Sequence, residues 1–252
     1  MRAPARSTWT WHRRLGLAVL LPLLWWSLTA LVFALRPMDE IRGRTLSRGP
    51  APAPAPLDPA RLPAAAALAG ATAVTIRVVE GRQVAVVERG AAAPEVLELA
   101  GGRSLGPAIP LEWALAAARR DFAGPFEVEA AYLLPREGPT RRVAGAGPEV
   151  VEPPEEYAGP RPAYALHLAG PGGVRVYVDA LDGAVRARRT AAWRLYDLAF
   201  RLHALDFLPD GAKRAAIAAV VAGWLALGAT GLRLALAWLR RRAAGPRASP
   251  PA

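Results

Sequence analysis

Leu15 to Leu35 is a run of 21 residues without a charge and apolar on every face. At 1.5 Å per residue it is about 30 Å long, the thickness of a bilayer's hydrocarbon core. A core helix of a soluble protein usually keeps a polar stripe, and none remains here. A cleaved signal peptide is the competing reading, with Val32-Phe33-Ala34 as the cleavage site. The apolar part of such peptides is only about 7–15 residues long. The run is therefore read as an uncleaved membrane span.

Ala215 to Leu239 forms a second such run. Its one charge, Arg233, lies near the end that continues into Arg240-Arg241-Arg242, where a long side chain can snorkel to the interface. Ala218, Ala222, Ala226 and Thr230 recur four apart. Such a ridge of small residues lets another helix approach closely, whether the first span, another membrane protein or a second copy of the chain.

The net charge is +11, from 32 Lys plus Arg against 21 Asp plus Glu. All the acids fall between Asp39 and Asp210. Arg2, Arg6, Arg13 and Arg14 precede the first span, and Arg233, Arg240, Arg241, Arg242 and Arg247 close the chain, with no acid in either tail. The segment between is nearly neutral. A nucleic-acid binder carries its charge on the folded domain, so nucleic acid is not the expected partner; membrane lipid is. The positive-inside rule puts both tails in the cytoplasm, with Trp9, Trp11 and Trp238 marking the interface on that side. Residues 36–214 then lie mostly outside. In a chain rich in Ala, Arg and Pro with a single Lys, that means the periplasmic side of a bacterial inner membrane.

Pro50 to Pro56 alternates Pro and Ala and favours an extended polyproline spacer, within a Pro-rich linker over 36–57. Asp58 to Gly70 reads as a helix with Asp58 as N-cap and Pro59 at its first position. Three short strands follow at Ala73–Val79, Gln83–Glu88 and Glu95–Leu99, broken by glycines. The pattern then repeats, with a helix at Pro110–Phe122 and strands at Phe126–Leu133, Tyr164–Leu168 and Val174–Asp179. In the last strand Val174, Val176 and Val178 share one face, and Arg175, Tyr177 and Asp179 the other. An insert from Pro135 to Pro162, with Glu149, Glu152, Glu155 and Glu156 among prolines, reads as a mobile, solvated loop. Residues 191–208 form an amphipathic interfacial helix with Trp193, Tyr196, Phe200 and Phe207 on one face.

Three short motifs resemble those of PepSY-associated transmembrane proteins. They are Trp11-His12-Arg13-Arg14-Leu15-Gly16-Leu17 at the first span, Tyr164-Ala-Leu-His-Leu followed by Val174 to Val185 with its Asp-x-x-x-Gly turn, and Leu202-His203-Ala-Leu-Asp-Phe207 before the last span. The resemblance covers both ends of the chain closely and the middle loosely. It implies an α+β fold: two transmembrane helices (15–35 and 215–239) flanking a periplasmic PepSY-like domain (58–190) with two helix-plus-three-strand repeats. Basic cytoplasmic tails, 1–14 and 240–252, complete the chain. PepSY domains are linked to peptidase inhibition or to regulation at the cell surface. Larger members with four or more spans resemble haem-containing reductases of iron acquisition from siderophores. This chain departs from those, having two spans and no His inside either.

The chain contains no Cys, so thiolate metal sites, disulfides and Cys nucleophiles are excluded. It carries no HExxH, phosphate-loop or dinucleotide motif, and no catalytic residue is expected. Asp179 and Asp182 read as turn formers and His167 as a packing or surface histidine. No metal and no cofactor are expected on the leading reading, a non-enzymatic membrane protein presenting its outer domain to a ligand or partner. The alternative is a haem b-bearing or reductase-associated component of iron or siderophore uptake, for which His12 and His203 are the candidate ligands. In the derived topology they lie on opposite sides of the bilayer, about 30 Å apart. They cannot share one haem within a chain, and only pairing of like histidines across a dimer remains. A bare assembly subunit held by the small-residue ridge is a third reading.

Overall fold

A computed structural model describes residues 3–49, 65–90, 92–152, 154–170 and 172–243; the polyproline run, the Asp58 cap, Arg2 and Arg247 lie outside these. The chain divides into two compact units. One is Met1–Leu35 with Tyr196–Ala252, the other Arg36–Leu195.

The first unit is helical. α1 (Ala3–Leu35) and, at the far end of the chain, the helix Asp210–Ala243 are both long and apolar enough to cross a membrane. Between them in sequence come α2 (Met38–Ile41) and α3 (Leu111–Asp121) of the other unit, then α4 (Ala191–His203), so Asp210–Ala243 is α5. α1 and α5 run antiparallel: Gly16 faces Leu227, Val19 faces Gly223, and His12 meets Thr230 and Gly231. Gly223 and Gly231 permit this approach, since a Cβ on either would stand 3.1 Å from Val19 or His12. In this register Trp25, the middle of the first apolar run, is level with roughly Ile217 rather than Leu227, an offset of about 15 Å along the axes.

The expected ridge is only partly the seam. Ala226 and Thr230 are half-buried, while Ala218 and Ala222 are exposed. Residues four apart advance 400° and drift about 40° per step around the helix, whereas the seam with α1 alternates steps of three and four through Val220, Gly223, Leu227 and Thr230.

α4 ends at His203, five residues before the expected limit, where Leu205 turns the chain with φ 56° and leaves Phe207 outside the helix and exposed. Its second half packs along α1, with Phe33 5.0 Å from Tyr196 and 5.4 Å from His203 between ring centres. The Trp25 and Trp26 indoles donate to the Leu202 and His203 carbonyls at 3.1 and 2.7 Å. A helix end leaves such carbonyls without intrahelical partners, and beside an apolar helix water does not supply them.

The second unit is mixed helix and sheet. β1 (Ala73–Val79), β2 (Arg82–Glu88), β3 (Glu95–Glu98) and β4 (Arg103–Gly106) form an antiparallel meander. β5 (Val128–Leu134), β6 (Thr140–Gly145), β7 (Val150–Val151), β8 (Ala163–Leu168), β9 (Arg175–Asp179) and β10 (Val185–Arg189) form a second sheet in the order β10-β9-β8-β5-β6-β7. Among the described residues the halves thus hold four and six strands, not three each. The Ala-rich face of α3 (Ala114, Ala117, Ala118) lets the helix approach closely, and one core joins it to Val79, Val84 and Val96 of the first sheet and Leu166, Val176 and Val178 of the second. Burying a side chain the size of Leu166 stabilises by about 1.5–3 kcal/mol.

Part of the expected linker and the expected solvated loop are both built into this unit. Residues 36–49, part of the expected linker, fold as α2 and a 3₁₀ turn at Arg44–Leu46, with Ile41 buried. The expected loop contains the β6–β7 hairpin and buries Tyr157, whose ring stacks on Tyr177 at 4.5 Å. Tyr177 is fully buried, so both faces of β9 lie against packed side chains.

Candidate functional site

His12 and His203 both belong to the helical unit, and each ring is tied at Nδ1 to a threonine of a neighbouring helix. His12 Nδ1 lies 2.9 Å from Thr230 Oγ1, and His203 Nδ1 lies 2.8 Å from Thr29 Oγ1. Each hydroxyl also sits within bonding distance of carbonyls one turn back in its own helix, Ala226 and Leu227 for Thr230, Trp25 and Trp26 for Thr29. A hydroxyl has one proton. If it is donated to a carbonyl, the histidine donates through Nδ1 and its Nε2 carries a lone pair.

Among the described residues no hydrogen bond reaches either Nε2. His12 lines an open groove of about 540 Å³ with Val19, Leu23, Trp224 and Leu227. His203 is flanked by the Trp26 and Phe33 rings. Along α1, His12 and Thr29 are 17 residues apart, so the two imidazoles are separated by roughly 25 Å. They do not fit as the two axial ligands of one haem in one chain.

Glu156 is the hub of the sheet unit. Its Oε1 accepts from Arg175 at 2.9 Å and from the Tyr177 hydroxyl at 2.8 Å, its Oε2 accepts from Arg194 Nε at 3.1 Å, and its backbone oxygen from Arg189 at 2.7 Å. Burial, the largest single influence, pushes the carboxyl's pKa up, but the Tyr177 and Arg175 hydrogen bonds, the Arg175 charge and the Arg194 hydrogen bond outweigh it and hold the group below its ordinary value. Beside this hub His167 packs on Tyr132 at 4.9 Å. Burial, reinforced by the Arg175 charge, brings its pKa down to about 4. His167 is thus a neutral packing residue at pH 7. The sequence gives little warning of this hub: Glu156 is one of four glutamates among prolines, and its partners come from β9, β10 and α4.

Asp179 and Asp182 act in the turn. Asp179 Oδ1 accepts from the Leu181 and Asp182 amides at 2.8 and 3.4 Å, and Oδ2 accepts from Arg186 Nε and Nη2. Asp182 accepts from the Ala184 amide and from Arg186. Burial raises the pKa of Asp182. Both carboxylates are engaged in closing β9 onto β10. No group of three or more His, Asp or Glu suited to a metal ion occurs among the described residues.

The structure therefore defines a chain with two apolar helices at its ends and a sheet-rich α+β unit between them in sequence. Compared with protein-family models, curated proteins and solved structures, the chain finds no match.

Proposed function

We propose that the chain is a two-span bacterial inner-membrane protein of the PepSY-associated type that holds its α+β unit in the periplasm for binding or regulation, without catalysis. The observation that carries the reading is the antiparallel pairing of α1 and α5. It directs Arg13, Arg14 and Arg240 to Arg242 toward the same end of the helix pair, the two groups about 15–20 Å apart along the axes, with Arg14 over Trp11 and Arg242 over Trp238 at 5.9 and 4.6 Å. The other end carries Lys213 paired with Asp206. The positive-inside rule counts Lys and Arg, and Arg13, Arg14 and Arg240 to Arg242 beside Trp11 and Trp238 outnumber Lys213 and Arg214 at the other end, which favours a helix hairpin with both termini inside. The Asp179 turn, closed by its own side chain and by Arg186, supports the PepSY resemblance.

Reporter fusions test the reading. Alkaline phosphatase fused after Thr190 is active only outside the cytoplasm, and green fluorescent protein fused after Ala252 fluoresces only inside. Active phosphatase with a fluorescent C-terminus is expected. Inactive phosphatase or a dark C-terminus sinks the topology and the function built on it.

One observation favours a second reading, the haem-bearing component of iron uptake. His12 is anchored through Nδ1 and faces a groove, so its Nε2 is the atom that would hold iron, with the same residue of a second copy opposite. Haem would supply electron transfer there.

A further inference from the structure

Among the described residues, three of the four sheet edges are blunted. β7 has two residues, β4 has four with an irregular register, and β10 has a register shift and carries Arg186 and Arg188 in ion pairs. Short strands, bulges and charges are how sheets avoid pairing with other chains. β1 carries only one of these protections, the exposed charge of Arg77. It runs seven residues, Ala-Val-Thr-Ile-Arg-Val-Val, in continuous register with β2 and pairs with no other strand among the described residues.

The outward backbone of β1 is identified by its neighbours. Leu99 N donates to Gln83 O at 2.9 Å, so Gln83, Ala85 and Val87 face β3, and Arg82, Val84 and Val86 face β1. Their partners Val79, Arg77 and Thr75 point inward, which leaves the N–H and C=O groups of Val74, Ile76 and Val78 on the open side. The side chains of these three share one sheet face. There Ile76, half-buried, borders the small cluster of Ala85, Val87, Leu97 and Leu99.

We propose that β1 pairs antiparallel with β1 of a second copy of this chain, about a two-fold axis at Ile76, joining two four-stranded sheets into one of eight. This is the register in which outward groups meet outward groups. It sets Val74 opposite Val78, Ile76 opposite Ile76 and Thr75 opposite Arg77. β-branched residues face each other, and no charge faces its like. Shifted by two residues, the pairing either puts Arg77 against Arg77 or shortens the ladder. Ile76 of the second copy extends the cluster at the open edge. The interface lies in the Arg36–Leu195 unit and is separate from the small-residue ridge of α5.

The test uses the full chain in detergent, whose lack of cysteine makes single-cysteine crosslinking clean. Oxidised Ile76→Cys is expected to give the disulfide dimer. A mixture of Thr75→Cys and Arg77→Cys is expected to give the mixed dimer in excess over either alone, while Arg103→Cys at the β4 edge gives none. By sedimentation, Thr75→Arg is expected to weaken self-association about tenfold by facing Arg77, and adding Arg77→Glu restores it. Both changes are at exposed positions, so loss of folding does not mimic the rescue. A monomeric wild type, a dimer indifferent to Thr75→Arg, or an Ile76→Cys protein that crosslinks no more than Arg103→Cys overturns the proposal. So does a monomer whose β1 edge takes up an extended peptide of another protein.

Discussion

Arg188 Nε donates to Asp121 Oδ2 at 2.7 Å across 67 residues of sequence, and the pair is about six-sevenths buried. Ser47 joins it, donating to Asp121 Oδ1 at 2.9 Å. Three distant pieces meet here: the segment after α1, the end of α3, and β10. Gly43 is held close by the same packing, since a Cβ there would stand 2.7 Å from Arg188 Cβ.

Removing one partner of this pair strands the other charge in a poorly solvated place. Asp121→Ala is expected to destabilise the sheet unit by about 2–4 kcal/mol in urea unfolding of the full chain. Glu40→Ala breaks the exposed Arg36–Glu40 pair and is expected to change stability by less than about 0.5 kcal/mol. Equal effects would mean that Arg188–Asp121 is not what fixes residues 36–49.

Gly183 closes the β9–β10 turn with φ 69°, and an added Cβ would lie 2.9 Å from Val79 Cγ1. Gly183→Ala therefore meets both backbone strain and a clash, and is expected to cost about 2–3 kcal/mol. Val79→Ala removes the clashing methyls but opens a hole of its own. The double variant is thus expected to be more stable than the sum of the two losses predicts; strict additivity in the denaturation midpoints would place the whole cost in the backbone.

How much of this was legible in the sequence depends on what holds each piece. α1, α5, α3 and β1 follow apolar pattern and length, and their expected and observed limits agree to within a few residues apart from the helical extensions into the basic tails. β6 and β10 read Thr-Arg-Arg-Val-Ala-Gly and Val-Arg-Ala-Arg-Arg, without apolar alternation. They are held by ladder bonds, and in β10 also by arginine pairing to Asp179 and Asp121. Tyr157 packs only because Tyr177, 20 residues on, turns its ring outward from β9. The Thr29–His203 and Thr230–His12 bonds depend on helix register, which composition leaves open.

His167 gives the chain a pH response with a defined sign. Its folded pKa of about 4 lies below its ordinary value of 6.5, so between those values the unfolded chain binds the extra proton. Stability is then complete above pH 6.5 and falls as the pH drops through the window to 4, by about 1–2 kcal/mol after discounting for solvent screening. Glu156, also depressed, adds its loss only below its ordinary value of 4.5. His167→Gln is expected to flatten the profile between pH 6.5 and 4 and leave the acid limb. An unchanged slope in chemical denaturation across that window would refute the assignment.

The histidines of the helical unit separate the two functional readings. His12 and His203 lie roughly 25 Å apart along the helices, too far for one iron. A non-enzymatic presenting protein, expressed with ample haem and purified in detergent, is expected to show no Soret band in either oxidation state. Were haem held between two copies, His12→Ala would abolish the band, because His12 faces the groove, and His203→Ala would leave it, because Trp26 and Phe33 flank that ring. Thr230→Val sharpens the comparison. It removes the Nδ1 partner of His12 while keeping the shape of the seam, and would shift the spectrum or weaken haem retention without abolishing the fold. A Soret band lost in His12→Ala and altered in Thr230→Val would replace the presenting reading with the electron-transfer one.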